Sequence, residues 1–237
     1  MDAHSSQIPE TADSLIQEVV ALAKSELRPL VAQIDQEGLY PEEFLQSLGD
    51  SGGFASIGSV EQGGNGLGLG TQIHTLAAVG AECGSTAFLG WCQSACGWYL
   101  RQTPNAAARE RYLSHVLRAQ WLAGTGMSNT VKHLSGIEKH LLQAVPEGDG
   151  FVINGSLPWV SNLGDTHVFA ASAQLPDGRY IMFMARGNAP GVTLKPCPEF
   201  CGMEGTRTLN VRFADARIEQ ADLLADADQF EDFIRSI

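Results

Sequence analysis

Residues 148–162, GDGFVINGSLPWVSN, decide the fold class of this chain. Their opening Gly-Asp-Gly lies between two β-like runs, and a turn rich in glycine and aspartate in that position indicates a β-hairpin. Pro176-Asp177-Gly178 repeats this signal between the runs 168–171 and 180–184. Both runs are mostly apolar, which is typical of largely buried strands. We therefore predict that residues 120–218 are mainly strand.

The sequence before residue 120 has a helical period instead. Apolar residues recur at steps of three and four from Ile16 to Ile34, which is the stripe of an amphipathic helix. Ser14 and Gln17 match a capping box at the start of this helix, and Pro29 is expected to bend the helix without ending it. Further helices are predicted from Pro41 to Gly52 and over residues 71–83, 86–102 and 105–119, the last of them capped by Asn105.

A run of helices followed by a run of strands indicates an α+β protein. The predicted architecture is an all-α helical bundle over residues 1–119, followed by a β-barrel-like middle domain over residues 120–237. The pattern becomes helical again from Asp226, so the second domain includes the start of a following helix. The glycine-rich loop 63–70 lacks both Gly-x-Gly-x-x-Gly spacing and a strand–turn–helix context. We interpret it as a connection between helices and not as a phosphate cradle.

The composition excludes several classes of function. The formal net charge is −12 and no basic stripe offsets it, so binding to a nucleic-acid backbone is not expected. No apolar run approaches the roughly 20 residues that span a bilayer, and no signal-peptide pattern is present at the start. Five cysteines, an odd number, are typical of reduced thiols in a cytoplasmic compartment. The pairs Cys92/Cys96 and Cys197/Cys201 lack zinc-ligand spacing, so no metal site is predicted.

Several segments, in a fixed order and at similar spacings, carry a likeness to a known family. The most specific are GDGFVING at residues 148–155 and WVSN at 159–162. The others are DQEGLYP at 35–41, GGNGLGL at 63–69, CGSTA at 83–87, RERYL at 109–113, WL at 121–122 and GMEGTRT at 202–208. Together they resemble the acyl-CoA dehydrogenase family over residues 15–237. The resemblance implies a helical domain, a β-domain and a C-terminal four-helix domain that hold FAD and oxidise an acyl thioester.

The resemblance also implies a flavin site in this chain. Trp159 and Ser161 occupy the positions of a tryptophan against the flavin ring and a hydroxyl near flavin N5. Their i,i+2 spacing predicts that both lie on one face of a strand. Met127 and Ser128 match the stretch that hydrogen-bonds the pyrimidine edge of the flavin. Ser135 is a candidate for hydroxyl contacts where the family has a glycine-rich run.

Two departures from the family pattern bear on function. Residues 128–136, SNTVKHLSG, replace the family's TEPGAGSD run and lack the glycines that let a backbone approach a pyrophosphate. Glu204 replaces an arginine, and Arg207 is either a phosphate ligand or a solvated surface residue. The sequence stops where the family's third domain begins, so we expect the catalytic glutamate to lie outside it and this chain alone to be inactive. No catalytic residue is predicted, because the histidines look isolated and structural.

Three interpretations of function remain open. The leading one is an acyl-CoA dehydrogenase-like flavoprotein, and the second is a flavin-dependent monooxygenase or oxidase of the same fold. The third is a non-catalytic subunit of a hetero-oligomeric dehydrogenase. The expected partners are an acyl-CoA or related small-molecule substrate and the other subunits of a homo- or hetero-oligomer. Trp91 and Trp98 lie on the helix that lines the family's acyl pocket, where they either shorten the pocket or pack the bundle.

Overall fold

The first half of the chain is helical in the structure, a computed structural model that describes residues 11–237. Its helices are α1 Ala12–Leu22, α2 Val31–Gln36, α3 Glu42–Asp50, α4 Gly68–Gly80, α5 Gly84–Gln102 and α6 Ala106–Leu117. Asn105 caps α6, as predicted, by accepting a hydrogen bond from the backbone N–H of Ala107 at 3.1 Å. The glycine-rich segment connects α3 to α4, which confirms the prediction of an interhelical connection.

The helical backbone continues past Pro29, as the apolar stripe predicts. A π-helical turn, Ala23–Leu27, and a 3-10 turn, Arg28–Leu30, join α1 to α2 and absorb the proline. The predicted cap was wrong, because Thr11 is the N-cap and Ser14 is its reciprocal partner three residues on. Ser14 occupies the third helical position, where a capping box usually has glutamate or glutamine. The sequence pattern therefore placed the cap about one turn too late.

The second half forms one mixed sheet of eight strands. The strands are β1 Ala123–Thr125, β2 Leu142–Glu147, β3 Gly150–Val160, β4 Val168–Gln174, β5 Tyr180–Arg186, β6 Val192–Pro196, β7 Leu209–Ile218 and β8 Leu223–Ala225. Both predicted hairpins are confirmed, since β2 pairs antiparallel with β3 and β4 with β5. The spatial order is β6-β7-β3-β2-β4-β5-β8, and β1 lies beside β4 in parallel. The sheet is not closed, so the barrel-like description is corrected to an open mixed sheet.

Two short helices interrupt this half. They are α7 Ser128–Leu134 and α8 Phe230–Ser236. The second confirms the helix expected after Asp226. The first lies in the segment that departs from the family pattern, where the sequence predicted no helix.

The sheet packs directly on the helices. Alternate residues of β4 face opposite sides: Val168 and Ala170 lie in a core shared with α5 and α6, whereas Phe169 and Ala171 lie in a second core within the sheet. The α+β prediction is therefore confirmed. The domain boundary between residues 119 and 120 stays a prediction, because the shared core includes residues from both sides of it. Within residues 11–237 no helix is long and apolar enough to cross a membrane.

Candidate functional site

Trp159 stands on a bulge near the end of β3. The pairing of β3 with β7 shifts register between Leu157 and Val160, and Trp159 has a left-handed φ of +55°. A left-handed backbone is an outlier for a bulky residue and costs on the order of 1–3 kcal/mol. The side chain is nevertheless 56% exposed, so burial of the indole does not offset this cost. An exposed large aromatic group on strained backbone is a candidate ligand contact.

Backbone strain is concentrated at this place. Of the six non-glycine residues with positive φ in the described chain, four lie here: Trp159, Asn162, Met203 and Arg207. Two backbone hydrogen bonds tie their segments together, from the N–H of Asn162 to the Thr206 carbonyl at 3.1 Å and from Leu163 to the Arg207 carbonyl at 3.3 Å. Strain held in place by such contacts is characteristic of binding sites.

Trp159 and Ser161 do not lie on one strand face, contrary to the prediction from their i,i+2 spacing. The strand ends at Val160, and the bulge at Trp159 breaks the two-residue alternation of side chains. Ser161 is only 8% exposed, in contrast to the open indole two residues earlier. The two side chains are close along the chain but differ in environment, and a common contact with one ring stays a prediction.

The Ser161 hydroxyl begins a short chain of hydroxyl groups. Its Oγ lies 2.6 Å from Thr208 Oγ1, and Thr208 Oγ1 lies 2.7 Å from Thr206 Oγ1. Thr206 in turn donates to the backbone carbonyl of Met203 at 2.8 Å. Neither threonine was predicted to be a site residue, although both lie in the segment 202–208 that resembles the family.

The segment that holds Met127 and Ser128 runs beside this site. A Cβ on Gly124 would approach the Ser161 carbonyl oxygen to 2.5 Å, and one on Gly126 would approach Leu157 Cδ1 to 3.0 Å. Only glycine allows such a close approach of β1 to the end of β3. The two predicted stretches are thereby neighbours, with Met127 buried and Ser128 exposed at the start of α7. Ser135 lies at the other end of α7, on the order of 10 Å away at 1.5 Å per helical residue.

Asn162 joins the site to the helical bundle. It is fully buried, and its Oδ1 accepts a hydrogen bond from the Tyr40 hydroxyl at 2.6 Å. Its Nδ2 donates to the Ala123 carbonyl at 2.8 Å. Burial raises the pKa of Tyr40 well above its ordinary value, so the hydroxyl remains a donor. Asparagine suits the position because it tolerates left-handed backbone better than most residues.

Arg207, for which the sequence left two roles open, packs against the same tyrosine. Its guanidinium lies 3.8 Å from the centroid of the Tyr40 ring and 3.3 Å from Glu42 Oε2. These contacts hold the loop before β7 against the start of α3. The arginine therefore serves as a contact between the sheet and the bundle, and neither earlier alternative described it.

An apolar cavity of about 470 Å³ opens beside Met127. It lies between α4, α5, α7 and the C-terminal helix α8. The aromatic side chains that line it are Trp91, Trp98 and Tyr99. Among the described residues no carboxylate or imidazole lines it, so the walls provide packing but no base. Met127 also adjoins the flavin candidates, which makes it the link between cavity and site.

A polar cluster of His133, His140 and Tyr180 lies against α7. His133 Nε2 lies 2.7 Å from the Tyr180 hydroxyl, and the His133 and His140 rings are 5.4 Å apart. Burial lowers the pKa of His140, and its Nδ1 is 3.1 Å from the Leu142 carbonyl. The expectation that His140 is isolated was thus wrong, because the fold of residues 128–140 brings it back against His133. No group of three or more His, Cys, Asp or Glu side chains within residues 11–237 is arranged to hold a metal.

Comparison with known proteins gives the class to which this arrangement is similar. Residues 9–120 match the family model of the acyl-CoA dehydrogenase N-terminal domain. The chain is 24% identical to mitochondrial isovaleryl-CoA dehydrogenase of Pongo abelii over 92% of its own length and 53% of that protein. Butyryl-CoA dehydrogenase from Megasphaera elsdenii superposes with a TM-score of 0.84 and 18% identity, over 98% of this chain and 62% of that one. A dibenzothiophene monooxygenase from Paenibacillus superposes with a TM-score of 0.78 and 20% identity, over 92% and 55%.

These findings confirm the resemblance to the acyl-CoA dehydrogenase family. The chain has the fold of the family's N-terminal helical region and the sheet that follows it. It spans about half the length of the curated relatives it matches.

Proposed function

We propose that this chain carries the flavin-facing surface of an acyl-CoA dehydrogenase-like flavoprotein that oxidises an acyl thioester. The observation that carries this proposal is the open indole of Trp159, which is held on strained backbone two residues before Ser161, where the segment that leads to Met127 and Ser128 approaches the end of β3. A planar ring needs an aromatic face and a few polar groups at its edge, and these residues supply both. When bound, FAD would supply the redox chemistry.

The residues of this chain then have separate tasks. Trp159 would cover one face of a bound flavin ring, and the Ser128 hydroxyl and the Met127 backbone would hydrogen-bond its pyrimidine edge. The apolar cavity holds the acyl group and keeps water from it. Trp91 and Trp98 line that cavity, so they favour a short or compact acyl group over a long one. Homo- or hetero-oligomeric assembly and a cytoplasmic location belong to the same proposal and rest on the resemblance and the cysteine count.

The test is titration with FAD of the apoprotein, either full-length or in complex with its partner. Trp159→Ala is expected to weaken binding at least about fivefold, because aromatic stacking contributes about 1 kcal/mol beyond burial. The matched control is Trp91→Ala, which removes an indole of similar exposure, 48%, from the cavity instead. The control should bind FAD as the parent protein does. If Trp159→Ala and the parent protein bind FAD with equal affinity, Trp159 does not contact the flavin.

The helix α7 supports a second candidate function, a flavin-dependent monooxygenase or oxidase. Its side chains are engaged within the chain, since Asn129 donates to Glu138 at 2.8 Å and His133 contacts Tyr180. They are therefore less available to a CoA pyrophosphate than an open glycine-rich loop would be. Rapid oxygen uptake by the reduced protein with a substrate that lacks CoA would favour this candidate. Reduction of an artificial acceptor by acyl-CoA esters, without oxygen uptake, would favour the dehydrogenase.

A further inference from the structure

The hydrogen positions in the hydroxyl chain from Ser161 can be assigned from its far end. A backbone carbonyl only accepts, so the single hydroxyl hydrogen of Thr206 lies on the Met203 carbonyl. Thr206 Oγ1 must then accept from Thr208, which uses the only hydroxyl hydrogen of Thr208. Thr208 Oγ1 must in turn accept from Ser161. Ser161 therefore points its hydrogen inward and offers only lone pairs to anything that approaches from outside.

The far end of the chain is held firmly. Thr206 is 2% exposed and lies in the 3-10 turn Glu204–Thr206, where its backbone N–H also donates to the Met203 carbonyl at 3.1 Å. Its own carbonyl accepts from the N–H of Asn162. Reversing the direction of the chain would lose one of its three hydrogen bonds, because Thr206 would then donate to Thr208 and no longer to the Met203 carbonyl. The direction from Ser161 to Met203 is therefore the stable one.

We propose that Thr206 and Thr208 are positioning residues that make Ser161 a hydrogen-bond acceptor toward a flavin. The inference rests on the proposed function, in which Ser161 lies near the ring nitrogen N5. That nitrogen accepts a hydrogen bond in oxidised flavin and carries a hydrogen, so that it donates, in reduced flavin. An acceptor at Ser161 matches the reduced form and leaves the oxidised form without a donor. The hydroxyl chain thus biases the site toward reduced flavin.

The test compares Thr208→Val with Thr208→Ser in the full chain, with its partners if it has them. Valine has nearly the shape of threonine but accepts no hydrogen bond, so Ser161 becomes free to donate outward. Serine keeps the hydroxyl chain intact. We expect Thr208→Val to lose about tenfold in its preference for reduced over oxidised FAD. For a two-electron couple this lowers the midpoint potential by about 30 mV, whereas Thr208→Ser stays at the parent value.

Two readouts separate the proposals. Absorbance of retained flavin reports whether FAD binds at all, and loss of flavin by the parent protein would overturn the proposed function. Spectroelectrochemical titration reports the potential, and equal potentials for the two Thr208 variants would overturn the hydroxyl-chain inference while leaving flavin binding in place. If Thr208→Val does not fold, Thr206→Val can be compared with Thr206→Ser, which makes the same change at the next hydroxyl of the chain. A shift of the same sign there supports the inference, and no shift overturns it.

Discussion

Replacing Asn162 with alanine should be among the most damaging single changes in this chain. The side chain is fully buried and accepts from Tyr40 while it donates to the Ala123 carbonyl. Its removal leaves the Tyr40 hydroxyl unpaired in a buried position, at a cost of about 1–3 kcal/mol. Alanine must also keep the φ of +61°, for which left-handed backbone costs about 1–2 kcal/mol. We expect a total loss of about 2–5 kcal/mol in the free energy of unfolding.

Two companion variants divide this loss into its parts. Asn162→Gly removes the same hydrogen bonds but accommodates the left-handed backbone, so it should be more stable than Asn162→Ala by about 1 kcal/mol. Tyr40→Phe removes only the donor and should lose about 1–2 kcal/mol. Because its partner is already gone, adding Tyr40→Phe to Asn162→Ala should cost little further.

Urea unfolding followed by far-ultraviolet circular dichroism measures each of these free energies. An Asn162→Ala variant within about 0.5 kcal/mol of the parent would refute the role of this residue as the link between sheet and bundle. Equal stability of the alanine and glycine variants would refute the strain component alone.

Two further predictions concern packing and pH. Gly124→Ala should displace the Ser161 backbone and weaken FAD binding, whereas Gly70→Ala, which meets nothing within 4 Å, should leave binding unchanged; equal FAD titrations would contradict the first. Burial lowers the pKa of His140 in the folded chain. In the unfolded chain His140 takes up a proton near the ordinary histidine pKa of about 6.5, whereas in the folded chain it does so only at lower pH. Stability should therefore fall as pH drops below that value and level off below the folded pKa. His140→Gln should flatten this decline in urea titrations between pH 7 and 5, and an unchanged slope would exclude His140 as its source.

Local signals were sufficient for most of the fold. The turns at Gly148-Asp149 and Pro176-Asp177-Gly178 predicted two hairpins, because glycine and aspartate favour the backbone conformations that a tight turn requires. The apolar stripe through Ile34 predicted a continuous helical segment across Pro29, because apolar residues at steps of three and four lie on one face of a helix. Each of these depends on residues that are neighbours in the sequence.

The candidate site was predictable only in part. The likeness at residues 159–162 and 127–128 named four residues that the structure places in adjoining segments. The bulge at Trp159 was not predicted, because the register between β3 and β7 depends on a strand about fifty residues further along the chain. The helix α7 was missed as well. Its short segment has little helical tendency of its own, and His133 and Asn129 stabilise it through contacts with residues outside it.

The sequence by itself therefore determined the class of fold, the order of its helical and strand regions and the family it resembles, since periodicity, turn residues and ordered motifs are properties of short segments. Only the tertiary structure decided that the sheet stays open, that Asn162 joins it to Tyr40, and that the hydroxyl groups of Thr206 and Thr208 orient Ser161. The contact of Asn162 with Tyr40 joins residues 122 positions apart, and that of Ser161 with Thr208 joins residues 47 positions apart. Their energies come from burial and hydrogen-bond geometry, which no local pattern records.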